Sequence, residues 1–260
     1  MERSSDKFAE AAEKIASGRR INKAGDDAAG LSISFSLESR IRSIQQARRN
    51  AFDALSMMQV AEGGMNEVGN LVVRLRELAI QASSDNISDK EREMLQLEAA
   101  QIRTEVERLS EATRFFDTPL LNGRGKTFTF QIGPDNDEWN RIEYNTSNLD
   151  LRASTLGIDD IDLKSVDSAR DAFNTVDQAL KKLGVPRAEV GAMQSRFMAL
   201  TNNLAMYEET MTAAKSRILD ADVARESAEL VKASVLNKAG LSMVAQANLQ
   251  PHAVLKLLDY

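Results

Sequence analysis

The stretch from Ser165 to Ile218 places apolar residues at alternating steps of three and four. The series runs through Val176, Leu183 and Phe197, with a single missed position at Arg187. This spacing is typical of a helix that packs lengthwise against other helices. At about 1.5 Å per residue, a helix of this length extends roughly 80 Å and needs a partner of similar length.

The sequence Gly184-Val-Pro186 lies inside this apolar series. A proline in a helix interior costs about 3 kcal/mol, because it removes a backbone hydrogen bond and its ring meets the preceding turn. The apolar spacing nevertheless continues from Leu183 to Val190. We therefore predict one kinked helix through residues 165–218 rather than two helices with a break between them.

Residues 27–83 carry the same spacing and supply the required partner helix. Gly63-Gly64 and Gly69 interrupt it, so either the helix bends there or another part of the chain approaches closely. A capping box that begins at Ser88 predicts the start of a third helix, over residues 89–112.

The apolar period changes from helical to alternating after Phe115. Two alternating runs predict a β-hairpin over residues 127–146, and the acidic, turn-rich residues 146–164 read as a linker. A last helix is predicted from Val223 to Gln246, ended by Pro251. The expected fold class is therefore mainly α, with coiled-coil-like long helices and one small β element.

The composition excludes several functional classes. The net charge of −6 disfavours a nucleic-acid partner, and no apolar run is long enough for a membrane span. The chain has no cysteine. Its one histidine, His252, sits in the tail beside Pro251, so we expect neither a His-based triad nor a His-rich metal site. Asp135-Asn-Asp137 resembles part of a calcium loop, but Asn140 stands where that loop needs glycine. We expect no enzyme activity, no cofactor and no metal.

Long paired helices suit a structural or interaction protein, since a helical signalling module would also need a membrane span or a sensory domain. Residues 15–31, from Ile15-Ala-Ser-Gly-Arg to Asp-Asp-Ala-Ala-Gly-Leu31, resemble the N-terminal signature of bacterial flagellin. Further blocks resemble flagellin in the same order along the chain: Val73–Gln81, Phe130–Gly133, Gly191–Phe197, Ser216–Asp222 and Lys238–Asn248.

The resemblance implies a long antiparallel helical rod over residues 27–218. A remnant of the N-terminal core helix and a linker would occupy residues 1–26, and the C-terminal core helix and tail residues 219–260. The implied function is that of a structural subunit of the extracellular flagellar filament, exported by the flagellar secretion apparatus. The alternative is the hook–filament junction protein, which shares both terminal signatures. Compared with the family, the outer domains and most of the N-terminal core helix are expected to be missing.

The resemblance also implies partners and contact residues. The partners are other flagellin subunits, an export chaperone on the C-terminal helix, hook-associated and cap proteins, and a vertebrate Toll-like receptor. By resemblance, Arg74, Leu78 and Glu105 are expected to contact the receptor. Leu78 also suits helix packing, and Arg74 also suits a solvated position. Packing of the core helix in the polymer is expected to use Leu230, Val231, Val235, Leu236, Met243 and Val244.

The short N-terminal helix leads to one further expectation. Only Phe8, Ala11, Ala12 and Ile15 remain to cover the apolar residues of the C-terminal helix. Burial of each apolar side chain is worth about 1.5–3 kcal/mol, so the uncovered helix lacks much of its stabilisation. We expect residues 223–260 to be mobile in the isolated monomer and ordered by a chaperone. We also expect this 260-residue form not to make filaments, although a natural longer form would make them.

Overall fold

The computed structural model describes the backbone of residues 2–258 and the side chains of residues 3–247. The chain forms two compact units. Unit 1 comprises Met1–Arg42 and Tyr207–Tyr260, and unit 2 comprises Ser43–Met206. The predicted boundaries at residues 26 and 219 both lie within unit 1, because the ends of two long helices are grouped with the terminal helices.

Helices dominate the structure, as the sequence predicts. The helices are α1 (Glu2–Ser17), α2 (Ala28–Ala82), α3 (Asp89–Ala112), α4 (Ala153–Leu156), α5 (Val166–Leu219) and α6 (Val223–Leu258). The strands are β1 (Arg114–Phe115), β2 (Thr118–Pro119), β3 (Thr127–Gln131) and β4 (Arg141–Asn145). The two long helices and α3 therefore begin and end within about one residue of the predicted bounds.

Two prolines, Pro186 and Pro251, lie inside helices, and the sequence predicted the effect of only the first correctly. Helix α5 continues through Pro186, which confirms the prediction of one helix. The prediction that Pro251 ends the last helix is wrong, since α6 continues to Leu258. One proline removes only one backbone donor, and the following Ala-Val-Leu-Lys-Leu-Leu residues are mostly good helix formers.

Close packing explains the glycines within α2. A Cβ atom on Gly64 would lie 2.6 Å from the Thr113 hydroxyl and 2.7 Å from a methyl group of Leu121. A Cβ atom on Gly69 would lie 3.2 Å from Leu183 on α5, whereas Gly63 faces open space. Close approach of other parts of the chain is therefore the reason for Gly64 and Gly69, and α2 remains one continuous helix.

The core of unit 2 combines α2, α3, α5 and the β3–β4 hairpin. Its largest fully buried side chains include Met65, Leu75, Leu78 and Phe197. The segment 146–164 is not a linker as predicted, because it contributes its own apolar side chains to this core. The buried members of that segment are Leu149, Leu151, Ala153, Leu156, Ile158 and Leu163. Its acidic residues conceal this apolar spacing in the sequence.

Two antiparallel hairpins follow α3. The predicted hairpin is confirmed: β3 and β4 pair from Thr127 with Asn145 to Gln131 with Arg141. The smaller β1–β2 pair was not predicted, because two-residue strands are too short to show an alternating pattern. Its turn holds Phe116 at a φ of 50°, a region that bulky residues rarely occupy.

Asp150 anchors the segment that precedes α4. Its carboxylate accepts hydrogen bonds from the Arg152 guanidinium at 2.9 and 2.7 Å and from the Thr155 hydroxyl at 2.8 Å. The Arg152 hydrogen bonds lower the pKa of Asp150 to about 2, against the opposing effect of burial. The charged form is therefore favoured in the folded chain more than in the unfolded chain.

We predict opposite effects for alanine at two neighbouring glycines. Gly63→Ala should raise the free energy of unfolding by up to about 1 kcal/mol, because alanine has the higher helix propensity. Gly64→Ala should lower it by about 1–3 kcal/mol, because the added methyl overlaps Thr113 and Leu121. Urea unfolding followed by circular dichroism measures both. Equal stabilisation by the two variants would contradict the packing at Gly64.

We predict that Asp150 makes unfolding sensitive to acid. A lowered carboxyl pKa stabilises the fold above about pH 4, and that contribution is lost as the pH falls to about 2. Wild type should therefore exceed Asp150→Asn in free energy of unfolding by about 1–2 kcal/mol near neutral pH and lose this advantage at low pH. The exposed Asp85→Asn variant is the control, which should follow wild type at every pH.

Candidate interaction surfaces

The first and last helices pack against each other in unit 1. The segments beside them also pair: the Arg20 amide donates to the Leu219 carbonyl at 2.7 Å and the Ala221 amide to the Gly18 carbonyl at 3.0 Å. This antiparallel bridge holds the end of α1 beside the start of α6. The two terminal helices therefore run antiparallel.

Local hydrogen bonds order both connecting segments. Gly18 follows α1 with a φ of 67°, a conformation that favours glycine at a helix end. The Asp222 carboxylate accepts hydrogen bonds from the Ala224 and Arg225 amides and so caps α6. The Arg20 guanidinium donates to the Ile218 carbonyl at 2.6 Å, which satisfies an acceptor at the end of α5. Sequence reasoning did not predict this pairing.

Helix α6 presents its apolar side chains to solvent. Among its described side chains, residues 223–247, only Ala233 is buried. The predicted polymer contacts are Leu230, which is partly buried, and five residues with exposed fractions of 47–69%: Val231, Val235, Leu236, Met243 and Val244. The paired helix α1 therefore leaves most of this apolar surface uncovered.

The exposed residues of α6 surround the helix rather than forming one stripe. At about 100° per residue, Val231, Leu236 and Val244 point in three directions that are at least about 80° apart. A helix with apolar residues on all sides is typically buried on all sides. One partner helix cannot cover it, so complete burial requires several neighbours.

A second exposed surface lies on α2 and α3. The Arg74 guanidinium contacts Glu98 of α3 at 2.9 and 2.7 Å and Glu77 of its own helix at 2.9 Å. Hydrogen bonds to Glu77 and Glu98 raise the pKa of Arg74 above its usual value. About half of the Arg74 side chain is exposed, so Arg74 and its partner Glu98 are accessible from solvent.

The resemblance also assigns Leu78 of α2 and Glu105 of α3 to receptor recognition. Leu78 is completely buried, which confirms its packing interpretation and leaves no side-chain surface for a partner. Glu105 bonds to Arg108 at 2.8 and 2.6 Å, and these hydrogen bonds lower the pKa of the glutamate. The α3 partner of Arg74 is Glu98, seven residues before Glu105, which sequence reasoning missed because a spacing pattern does not show pairing between helices.

These features define the class of protein to which the chain belongs. A pair of antiparallel terminal helices with an uncovered apolar surface, joined to a long-helix core, defines a helical structural protein that assembles with neighbours. Residues 1–126 match the family described as the bacterial flagellin N-terminal helical region, and residues 173–258 match the bacterial flagellin C-terminal helical region. The chain belongs to the bacterial flagellin family.

Individual relatives agree with this assignment. A flagellin of Halalkalibacterium halodurans is 40% identical over 248 residues, which cover 95% of this chain and 90% of the relative. The crystal structure of Bacillus cereus flagellin has a TM-score of 0.53 at 22% identity, covering 60% of this chain and 88% of that chain. A flagellar hook-associated protein of Vibrio parahaemolyticus has a TM-score of 0.61 at 12% identity, with coverages of 75% and 100%. At such identities the two structures support the fold alone.

Over the part of the chain that the structure describes, no helix is both long enough and apolar enough to cross a membrane. Within the same residues, no group of three or more acidic, histidine or cysteine side chains is arranged to hold a metal ion.

Proposed function

We propose that this chain is a structural subunit of the extracellular flagellar filament and polymerises through its paired terminal helices. The observation that carries the proposal is the exposed apolar surface on several sides of α6. In a single subunit that surface meets water on every side that α1 does not cover. In a polymer of identical chains, neighbouring copies of α1 and α6 supply the missing contacts.

The energy available from this surface favours assembly. Full burial of one apolar side chain is worth about 1.5–3 kcal/mol, and five such residues on α6 remain roughly half exposed. Burying the remainder contributes several kcal/mol per subunit, which opposes the entropy lost on association. Because the exposed residues point in several directions, each subunit gains this energy only by contacting more than one neighbour.

The alternative role, that of a hook–filament junction protein, has weaker support. Similarity to a hook-associated protein is confined to the fold at 12% identity. Similarity to a flagellin extends to 40% identity over nearly the whole chain. The filament subunit is therefore the preferred assignment.

The remaining partners follow from the same exposed surface. We propose export through the flagellar secretion apparatus, with an export chaperone that covers α6 before assembly. Without such a cover, the exposed valines, leucine and methionine of α6 would drive premature association. Cap and hook-associated proteins are expected to contact the terminal helices of the subunits at the two ends of the filament.

Electron microscopy tests the filament assignment directly. Filaments sheared from cells that make this chain are labelled with an antibody against it. A filament subunit gives label along the whole filament, whereas a junction protein gives label only at the end next to the hook. Label confined to that end, or absent from the filaments, would reject the proposal.

We predict that polar substitutions on α6 impair assembly and not folding. Val231→Ser and Met243→Ser remove apolar atoms that the single subunit leaves exposed, so the free energy of unfolding should change by less than about 0.5 kcal/mol. Each should nevertheless shorten filaments or abolish them, as measured by electron microscopy of sheared material. Val185→Ser, at an equally exposed valine of α5, is the matched control.

We also propose that the exposed Arg74 contributes to recognition by a vertebrate Toll-like receptor, with Glu105 as a further contact on α3. The support is the exposed guanidinium of Arg74, which is held in place by two glutamates. Leu78, the third residue that the resemblance assigns to receptor recognition, has a fully buried side chain in this structure and packs in the core.

A reporter-cell assay with purified monomer separates contact from folding. Arg74→Ala and Glu105→Ala should lower receptor signalling while the unfolding curve stays unchanged. Leu78→Ala should lower the free energy of unfolding by about 2–5 kcal/mol, because it leaves a cavity in the core. Arg170→Ala, at an exposed arginine near the start of α5, is the control and should signal as wild type does. Unchanged signalling by Arg74→Ala would contradict the proposal.

A further inference from the structure

Asn122-Gly123 is the only place in the chain where glycine follows asparagine. In such a dipeptide the glycine nitrogen can attack the side-chain carbonyl of the asparagine, because glycine has no Cβ atom to obstruct the approach. The attack closes a succinimide ring and releases ammonia. Water then opens the ring at either carbonyl, which gives aspartate or isoaspartate. The chain therefore contains a sequence that can modify itself.

The fold requires glycine at this position. Gly123 has a φ of 69°, in the left-handed region that favours glycine. A Cβ atom on Gly123 would lie 2.6 Å from a carboxylate oxygen of Asp150, so a side chain would overlap that carboxylate. The reactive dipeptide is thus a consequence of the turn, since the turn does not accept a larger residue that would slow the attack.

The same turn holds the Asn122 side chain in place. Its exposed fraction is only 2%. Its Nδ2 donates to the Glu111 carboxylate at 3.0 Å, and its Oδ1 accepts a hydrogen bond from the Arg124 amide at 3.0 Å. Both hydrogen bonds must break before the side-chain carbonyl can rotate towards the Gly123 nitrogen. Such a loss is unfavourable for a buried polar group.

The attacking nitrogen is also held. The Gly123 amide donates to the Leu149 carbonyl at 3.1 Å. An amide nitrogen loses its proton as it attacks, and this hydrogen bond retains the proton and fixes the nitrogen's orientation. Burial of Asn122 also excludes the water that must open the ring. The folded site therefore opposes ring closure and ring opening alike.

The products do not fit the folded site. Asn122 pairs with Asp150 in an antiparallel bridge, beside which the Leu151 amide donates to the Leu121 carbonyl at 2.8 Å. Isoaspartate lengthens the main chain by a carbon atom, so this pairing loses its register and the buried Leu121 is displaced from the core. Aspartate keeps the backbone but places a carboxylate opposite Glu111, where like charges repel.

We propose that Asn122-Gly123 is a modification site that is closed in the folded subunit and open in the unfolded one. A chain that remains unfolded loses ammonia and gains water at this site, and its isoaspartate form then refolds poorly. The conversion thereby records how long a chain has been unfolded and removes aged chains from the folded pool. The inference concerns unit 2 alone, goes beyond the filament function and does not depend on it.

Parallel incubation of the full chain tests the protection. One sample stays in native buffer and the other in guanidinium chloride, at the same pH and temperature. Mass spectrometry of the tryptic peptide 115–124 and labelling by an isoaspartyl methyltransferase measure conversion at Asn122. Conversion should be at least about tenfold slower in the folded chain, because it requires opening of the site. A smaller difference, or no conversion in denaturant, would overturn the proposal.

Asn86 provides an internal control for solvent exposure. It is exposed in the loop before α3, but Ile87 follows it and obstructs attack by the next nitrogen. Asn86 should therefore convert slowly in both samples, whereas Asn122 should convert quickly in denaturant alone. Faster conversion at Asn86 than at Asn122 in denaturant would contradict the role of Gly123.

Refolding tests the fate of the converted chain. Chains aged in denaturant are diluted into native buffer, and size-exclusion chromatography separates folded chains from the remainder. Isoaspartate at position 122 should be depleted from the folded fraction and enriched in the remainder. Equal amounts in the two fractions would refute the claim that the converted chain refolds poorly.

The Asn122→Asp variant isolates the aspartate product. It should fold with a lower free energy of unfolding than wild type at neutral pH, because its carboxylate faces Glu111. Protonation of either carboxylate removes the repulsion, so the deficit should shrink as the pH falls below about 4. A deficit that grows as the pH falls would contradict the placement of the two carboxylates.

Discussion

Burial of the apolar positions along α2 and α5 supports the rest of unit 2. Neither helix could remain folded alone in water over such a length, and α3 and the β3–β4 hairpin add their own apolar faces to the same core. Gly64 and Gly69 of α2 lie where neighbouring parts of the chain approach closely. The ion pairs of Arg74 and Arg108 lie on the outer surface, where they determine the surface charge and contribute little to the free energy of unfolding.

The two units distribute their apolar side chains differently. Unit 2 encloses its core within one chain, so Leu75, Leu78 and Phe197 are lost from solvent as soon as the subunit folds. In unit 1, α6 keeps valine, leucine and methionine side chains in water. Folding and assembly therefore draw on the same physical effect at separate locations. A substitution can change one of these processes and leave the other nearly intact.

The long helices were predictable because a repeated spacing over many residues leaves few alternatives. Short features were not: the β1–β2 turn has too few residues for a pattern, and acidic residues hide the buried leucines of residues 146–164. At Pro251, the flanking helix-forming residues outweigh the tendency of proline to end a helix. For the candidate surfaces, sequence resemblance directed attention to α6 and Arg74, whereas the ion pair between Arg74 and Glu98 depends on a contact between distant segments.

The pairing between the two connecting segments has a mechanical consequence. Two covalent strands lie side by side there, tied by the Arg20–Leu219 and Ala221–Gly18 backbone hydrogen bonds. A single-stranded connection swivels about its backbone torsions, whereas a two-stranded ribbon resists twisting because rotation must break the bonds between its strands. Force applied to α6 is consequently shared with the strand that leads to α1. This paired connection therefore resists twisting more than a single-stranded hinge does.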